Sequence, residues 1–302
     1  MGTGSRHRPS TDAVAPPGPS PVDLHTHTRR SDGVLAPDEL LRATAAAGVR
    51  VLAITDHDSI AAFRELRAGL PDLAPGLELV SGVEINAATD GIEGLWEGEL
   101  HILGYGMDPA DEAFEDLLAR QRAGRRVRFG RAVERLREIG LPIDDPLAAV
   151  ERPDDDALGR PTLARALVEA GHVTSVEEAF ASVLGQGKPG YVPREGIGPI
   201  EAIAAITSAG GIAALAHCRD APDRRGLIDE LRAHGLRGLE VHYRRFDEPT
   251  VAALDAFAGA MGLLRTGGSD YHGDGETYTQ AHARLWVPAG VGETLRATLA
   301  GR

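Results

Sequence analysis

The sequence predicts an α/β fold, with strands and helices alternating into a parallel sheet or an α/β barrel and a helical insertion in the middle. Three observations predict it. Apolar runs of strand length alternate with helical segments from Val22 to about residue 107, and again from about residue 196 to the end, as in successive βα units. The stretch 108–195 between them contains no convincing strand. The 302 residues are 42% hydrophobic and 25% charged, ordinary usage for a folded chain, and no apolar run approaches the ~20 residues of a membrane span.

Taken in order, residues 1–20 (MGTGSRHRPSTDAVAPPGPS) are rich in Pro, Ser, Gly and Thr without an apolar period, which predicts a disordered leader. The first barrel part is 21–107, the insertion 108–195 and the second barrel part 196–302. VDLHTH from Val22 reads as a buried strand. Pro37 opens a helix that Gly48 closes. VLAIT (51–55), ELVSGVEIN (78–86) and LHILGYG (100–106) are three further strand-length runs. A long helical signal runs from Ala110 to Gly140, with Phe129, Ala132, Val133 and Leu136 at helical spacing, followed by helices at Thr162–Ala170 and Ser175–Leu184. Alternation resumes with a helix from Pro199, the strand GIAALAH (211–217), a helix at Gly226–His234, the strand LRGLEVH, a helix at Pro249–Met261, the strand LLRTGGSD (263–270) and a terminal helix ending near Leu299.

Composition narrows the function. Thirty-two basic against 45 acidic residues give a net charge of −13, which opposes non-specific or duplex nucleic-acid binding. Aromatics are only 4%, too few for broad base-stacking platforms. The single cysteine, Cys218, excludes an intrachain disulfide, and the N-terminus lacks a secretory apolar region, so a cytoplasmic protein is expected. The sequence does not fix the oligomeric state, and a monomer is compatible with it.

The chemistry lies at the strand ends. His25 and His27 follow the first strand, with Asp32 in the loop beyond; Asp56, His57 and Asp58 follow the second; Glu84 is on the third, His101 on the fourth, and His217 after the next. The last strand runs into Asp270 and His272. Residues i and i+2 of a strand share a face, so His25 and His27 can grip one ion. In an α/β barrel the strand C-termini converge on one rim. A lone histidine at a strand end is ordinarily a satisfied polar residue; it is the co-occurrence at six ends that points to metal. Imidazole with carboxylate suits Mn, Fe or Zn, and so many donors exceed one ion's needs, so two or three ions are expected. The exception, His242 in LEVH, reads as structural, as do His7, His172, His234 and His282, taken for leader or surface histidines.

The segments DLHTHTRRSDG, ITDHD, GVEI, LHILGYG, AH and GSDYHG, in this order, resemble the PHP (polymerase and histidinol phosphatase) family over nearly the whole chain from Val22. The insertion, with LGRPTLARALVEAGHV and GKPGYV, resembles the PHP phosphoesterases that carry a small helical domain. Members of that subgroup hydrolyse nucleoside 3′,5′-bisphosphates, and some are 5′-to-3′ exoribonucleases on short RNA. The resemblance implies a distorted (β/α)7 barrel and a trinuclear metal centre. It implies one ion on His25, His27, Glu84 and Asp270, a second on Glu84, His101 and His217 with Glu84 bridging, and a third on Asp32, His57 and His272. Cys218 departs from the family's usual proline and reads either as a buried small hydrophobe or as a reactive thiol.

The expected reaction is removal of the 3′-phosphate from a nucleoside 3′,5′-bisphosphate, by a metal-bridging hydroxide attacking phosphorus in line. The alternatives are exoribonuclease action on short 5′-phosphorylated RNA and, from another class, a non-catalytic binding module stabilised by its metals. Asp56 is expected either to orient a ligand histidine from behind or to cap a turn. Arg160, Lys188 and Arg194 on the insertion are the candidates for gripping substrate phosphate. The eight arginines of 120–137 read as a solvated face, a phosphate-steering surface or a partner contact.

Overall fold

The computed structural model describes residues 19–89, 99–149, 158–273 and 275–301. Its seven strands, β1 (Val22–Asp23), β2 (Val51–Ile54), β3 (Glu78–Ala88), β4 (Glu99–Tyr105), β5 (Ile212–Leu215), β6 (Leu236–Tyr243) and β7 (Leu264–Gly268), form one sheet in sequence order. The sheet curls until its ends meet. The Leu24 amide donates to the Gly267 carbonyl (3.0 Å), the Asp270 amide to His25 (2.7 Å), and Thr26 bridges Tyr271. The barrel expected from the resemblance is therefore present.

Helices α1 (Pro37–Ala46), α2 (Ala61–Leu66) and α3 (Leu70–Leu73) follow the first two strands. The insertion carries α4 (Glu112–Glu138), α5 (Asp144–Ala149), α6 (Arg160–Glu169) and α7 (Val176–Ala179), the last continuing into a π-helical turn at Phe180–Leu184. Then come α8 (Pro199–Ser208), a 3-10 turn at Ala221–Arg224, α9 (Arg225–Ala233), α10 (Glu248–Met261), α11 (Tyr278–His282) and α12 (Ala289–Ala300). Pro37, Pro161 and Pro199 each sit in a first helical turn, where a missing N–H costs nothing.

Alternation along the strands separates two environments. On β4, Leu100 and Ile102 face outward onto Ala202, Ile203 and Ile206 of α8. Leu103 and Tyr105 pack instead with Leu24, Ala53 and Ala214 and with Val291 and Leu295 of α12. His101 lies on the same face as Leu103 and Tyr105, two and four residues away. The face that carries ligand-type groups at one end is thus plugged with hydrocarbon at the other. Each fully buried leucine or isoleucine there contributes roughly 1.5–3 kcal/mol.

The structure differs from the sequence reading at several points. β4 runs antiparallel to both β3 and β5. Only residues 89–98 separate β3 from β4, too few for the crossover of about a dozen residues that a parallel neighbour needs. β1 is shorter than VDLHTH, because only Val22 and Asp23 pair regularly with β2. The short α5 was not expected. α4 contributes to two hydrophobic clusters. Phe114 and Leu118 belong to the barrel's outer core, whereas Phe129, Ala132 and Leu136 belong to the insertion's own. Residues 1–18 of the expected leader, with His7, lie outside the described residues. Ser20, at its end, is buried and its hydroxyl accepts from the Val287 amide (3.0 Å). His282 is buried as well, donating to the Ser20 carbonyl (2.9 Å), so it is no surface histidine.

The closing seam makes a stability prediction. A Cβ on Gly268 would lie 2.4 Å from the backbone nitrogen and the Cβ of His25. Gly268→Ala is expected to destabilise by about 1–3 kcal/mol, read as a melting temperature several degrees lower in metal-free protein. An unchanged melting temperature would mean that β1 and β7 do not approach this closely.

Candidate metal centre

The barrel mouth gathers all nine expected donors. Glu84 on β3 is at their middle. Its Oε2 lies 3.3 Å from His25 Nε2, 3.2 Å from His27 Nε2 and 3.2 Å from His57 Nδ1, and its Oε1 2.8 Å from His101 Nδ1 and 3.3 Å from His217 Nε2. Asp270 Oδ1 is 3.3 Å from both His25 Nε2 and His27 Nε2. Asp32 lies 3.2 Å from His272 Nε2 and 3.6 Å from His57 Nε2. Three groups have converging donor atoms: His25, His27, Glu84 and Asp270; Glu84, His101 and His217; and His27, Asp32, His57 and His272. These match the three sets that the resemblance implies, with His27 also reaching the third.

The chemistry of these donors fits divalent cations. His25 Nε2, His27 Nε2, His57 Nδ1 and Asp32 Oδ1 are buried without a hydrogen-bond partner, a costly arrangement unless an ion satisfies them. Burial disfavours the charged form of Glu84, yet His25, His101 and His57 hold it well below the usual carboxylate range. Asp270 and Asp32 are held low in the same way, against burial, by their histidines. Burial, reinforced by Arg125 and His27 against Asp32 and Glu84, pushes His57 down to about 3. His25, His27 and His217 shift the other way, raised against burial by the carboxylates around them.

Glu240 was missed from the sequence. Its Oε1 accepts from His25 Nδ1 (2.9 Å) and its Oε2 from the His217 amide (2.7 Å). A carboxylate behind a histidine fixes the ring and its tautomer, and this one serves two strands' ligands. The available signal was an acidic residue between Leu239 and Val241 in a buried strand. Asp56, expected in that role, does not touch a histidine. Its carboxylate accepts from the Thr28 amide and hydroxyl and from the Ser31 hydroxyl, each at 2.7 Å. It holds the loop after β1, and reaches His27 only through Ser31, 3.4 Å from Nδ1. Cys218 stands apart from all three donor groups. Burial, and then Asp220, push its thiol up to about 12, which favours the buried small residue of the two readings.

Beside the cup lies a cluster of arginines. Asp58 has a left-handed backbone (φ 53°) and a fully buried carboxylate. It takes Arg125 (2.7 Å) and Arg194 (3.1 Å), and Arg125 also donates to Asn86 Oδ1 (2.8 Å). Glu99 takes Arg128 (2.7 Å) and Arg160 (3.1 Å). Among the described residues, four guanidiniums thus meet two carboxylates. Arg125 Nε, Arg128 Nη2 and Arg194 Nε are buried with no hydrogen-bond partner. The uncapped start of α6 adds its N-terminal field, since a Cβ on Gly159 would lie 3.4 Å from Asp32 Oδ2. Of the expected phosphate contacts, Arg160 and Arg194 are here. Lys188 is not; it lies on an exposed turn whose Pro189 carbonyl accepts from Arg135. That is ten residues along α4 from Arg125, roughly 15 Å. Arg125 and Arg128, which stand with Arg160 and Arg194 in this cluster, were within the Arg-rich helix, but the sequence did not say which of its arginines turn inward.

Comparison with known proteins agrees with this geometry. The PHP domain model matches residues 23–140. The 5′-3′ exoribonuclease Rnm of Salmonella typhimurium is 34% identical over 278 residues, 89% of this chain and 90% of that protein. The 3′,5′-nucleoside bisphosphate phosphatase of Chromobacterium violaceum is 32% identical over 269 residues, 84% of this chain and 88% of the other. A solved structure from Bifidobacterium adolescentis, described as a metal-dependent phosphoesterase, superposes with a TM-score of 0.78 at 32% identity, covering 95% of this chain and all of the other. No described helix is long and apolar enough to cross a membrane. With the barrel, the donor cup and full-length relatives in agreement, the chain belongs to the PHP family and is a metal-dependent phosphoester hydrolase.

Proposed function

We propose that the protein removes the 3′-phosphate from nucleoside 3′,5′-bisphosphates, giving a nucleoside 5′-monophosphate and phosphate. In this reading the nine donors hold up to three divalent ions, Mn first, with Fe or Zn as alternatives. One observation carries the choice of substrate: the buried arginine donors beside the cup that have no hydrogen-bond partner among the described residues. Buried donors are costly unless satisfied, and among the described residues Arg125 Nε, Arg128 Nη2 and Arg194 Nε are left over once Asp58 and Glu99 are engaged, an arrangement that suits a further anion. A substrate with two phosphates supplies one to the metal cup and the other to the arginines.

Bound ions supply Lewis acidity to the phosphoryl oxygens and lower the pKa of bound water. The chain's residues supply placement. Arg125, Arg128, Arg160 and Arg194 grip the distal phosphate with planar forks, and α6 covers Asp32. Glu240 and Asp56 keep the histidines and their loop fixed during turnover.

The second reading is 5′-to-3′ cleavage of short 5′-phosphorylated RNA, the activity named for the Salmonella relative. It uses the same placement, because a terminal 5′-phosphate in the arginine cluster puts the first internucleotide phosphate where the 3′-phosphate would lie. Mn-loaded protein offered adenosine 3′,5′-bisphosphate, AMP, histidinol phosphate and a 5′-phosphorylated trinucleotide separates the two. The proposal expects phosphate from the bisphosphate and none from AMP. A much faster release of mononucleotide from the trinucleotide would favour the second reading, and no turnover of either phosphate-bearing pair member would remove both.

A further inference from the structure

We infer that Tyr243 is a positioning residue for the metal centre, fixing how Asp270 and His217 present themselves to the ions. The inference rests on the ligand sets proposed above. Tyr243 is the last residue of β6, and strict alternation places it on the opposite face from Glu240, three residues earlier. The structure breaks that alternation. Glu240 pairs with Thr266 of β7 but His242 with Gly267, so Val241 is an extra residue opposite a single step of the partner strand. A bulge of this kind turns the residues beyond it over. Val241 stays in the outer core, and Tyr243 joins Glu240 on the side of the cup.

There the Tyr243 hydroxyl donates to Asp270 Oδ2 (2.9 Å). The other oxygen, Oδ1, is the one that faces His25, His27 and His272, at 3.3, 3.3 and 3.4 Å. Asp270 itself has a left-handed backbone (φ 48°), so its side chain depends on contacts to hold one rotamer. With Oδ2 engaged, the carboxylate offers a single oxygen inward. The Tyr243 ring also lies 5.6 Å from the His217 ring and is braced edge-on by Phe246 at 5.0 Å. His217 too is left-handed (φ 27°). One tyrosine therefore steadies a ligand in each of two donor groups, and each of those ligands has an unfavourable backbone.

The test is metal uptake rather than turnover. Protein stripped with a chelator is titrated with Mn by calorimetry, with ion content measured in parallel. Tyr243→Phe, which removes only the hydroxyl, is expected to weaken at least one ion by about tenfold, the range found when an outer partner of a ligand is lost. Its metal-free melting temperature is expected to stay within about 2 °C of wild type, less than about 1 kcal/mol at this size. In an Asp270→Asn background the same substitution is expected to add nothing, since the two act as one unit. Tyr243→Leu, which also removes the ring, is expected to weaken a second ion. Wild-type affinity in Tyr243→Phe, an additive effect with Asp270→Asn, or a metal-free melting temperature lowered by many degrees would each overturn the inference. A wild-type protein that takes up no Mn would instead sink the ligand sets on which it rests.

Discussion

Glu84→Ala is expected to strip the ions from the two donor groups it shares and to lower kcat/KM by at least about a hundredfold, and closer to a thousandfold, because Lewis-acid stabilisation of several kcal/mol is lost and each 1.36 kcal/mol is a decade. The expectation follows from position. Five imidazoles approach the two oxygens of this carboxylate within 3.3 Å, and the carboxylate belongs to two of the three donor groups. Removing it leaves the histidines able to turn neutral, so the fold is expected to persist, unlike the case of an arginine stranded without its partner. Ion content by mass spectrometry and kcat/KM on the bisphosphate, measured on the same preparation, check both halves. His25→Ala and Asp270→Ala touch fewer groups and are expected to be milder, though still near a hundredfold. Full ion content with full turnover in Glu84→Ala would remove the centre from the mechanism.

The donor set was legible because it obeys short-range rules. His25 and His27 share a face by alternation, and strand ends of a barrel converge whatever lies between them. The fold class followed from the same alternation. What escaped depends on departures from it. The antiparallel β4 is set by the short 89–98 connection, a length whose consequence is clear only once β3 and β4 are known to be neighbours. Tyr243 is turned inward by an extra residue at Val241, and nothing in GLEVHYRR marks a bulge. Glu240 carries no signal in the sequence beyond its place in an apolar strand, and the ligand-type residue of that strand, His242, lies past the bulge. The arginines show another limit. Lys188 stood out as the single lysine of the chain, but rarity in a composition says nothing about location. Arg125 and Arg128 are three residues apart on one helix face, aimed by Asp58, Asn86 and Glu99, which come from three different strands or strand ends.

Arg194→Met is expected to separate stability from function. Arg194 is buried, donates to Asp58, and keeps a nitrogen without a partner. Burial lowers its pKa, Asp58 opposes this, Arg125 lowers it further, and Glu99 and Arg128 act in opposite directions. The guanidinium stays charged, and it is buried beside the guanidiniums of Arg125 and Arg128. Removing it relieves repulsion among three neighbours and leaves Asp58 still paired with Arg125. The metal-free variant is therefore expected to melt at or above the wild-type temperature. Against the bisphosphate it is expected to lose ten- to a hundredfold in kcat/KM, since a hydrogen bond to a charged group is worth about 1.5–3 kcal/mol. Against adenosine 3′-monophosphate, which has no phosphate for the arginines, the loss is expected to stay below about threefold, less than 1 kcal/mol. Equal losses on the two substrates would mean that Arg194 supports the cup and not the distal phosphate. A protein at least as stable but selectively impaired would show that the arginines are kept in an unfavourable cluster for the sake of an anion that arrives with the substrate.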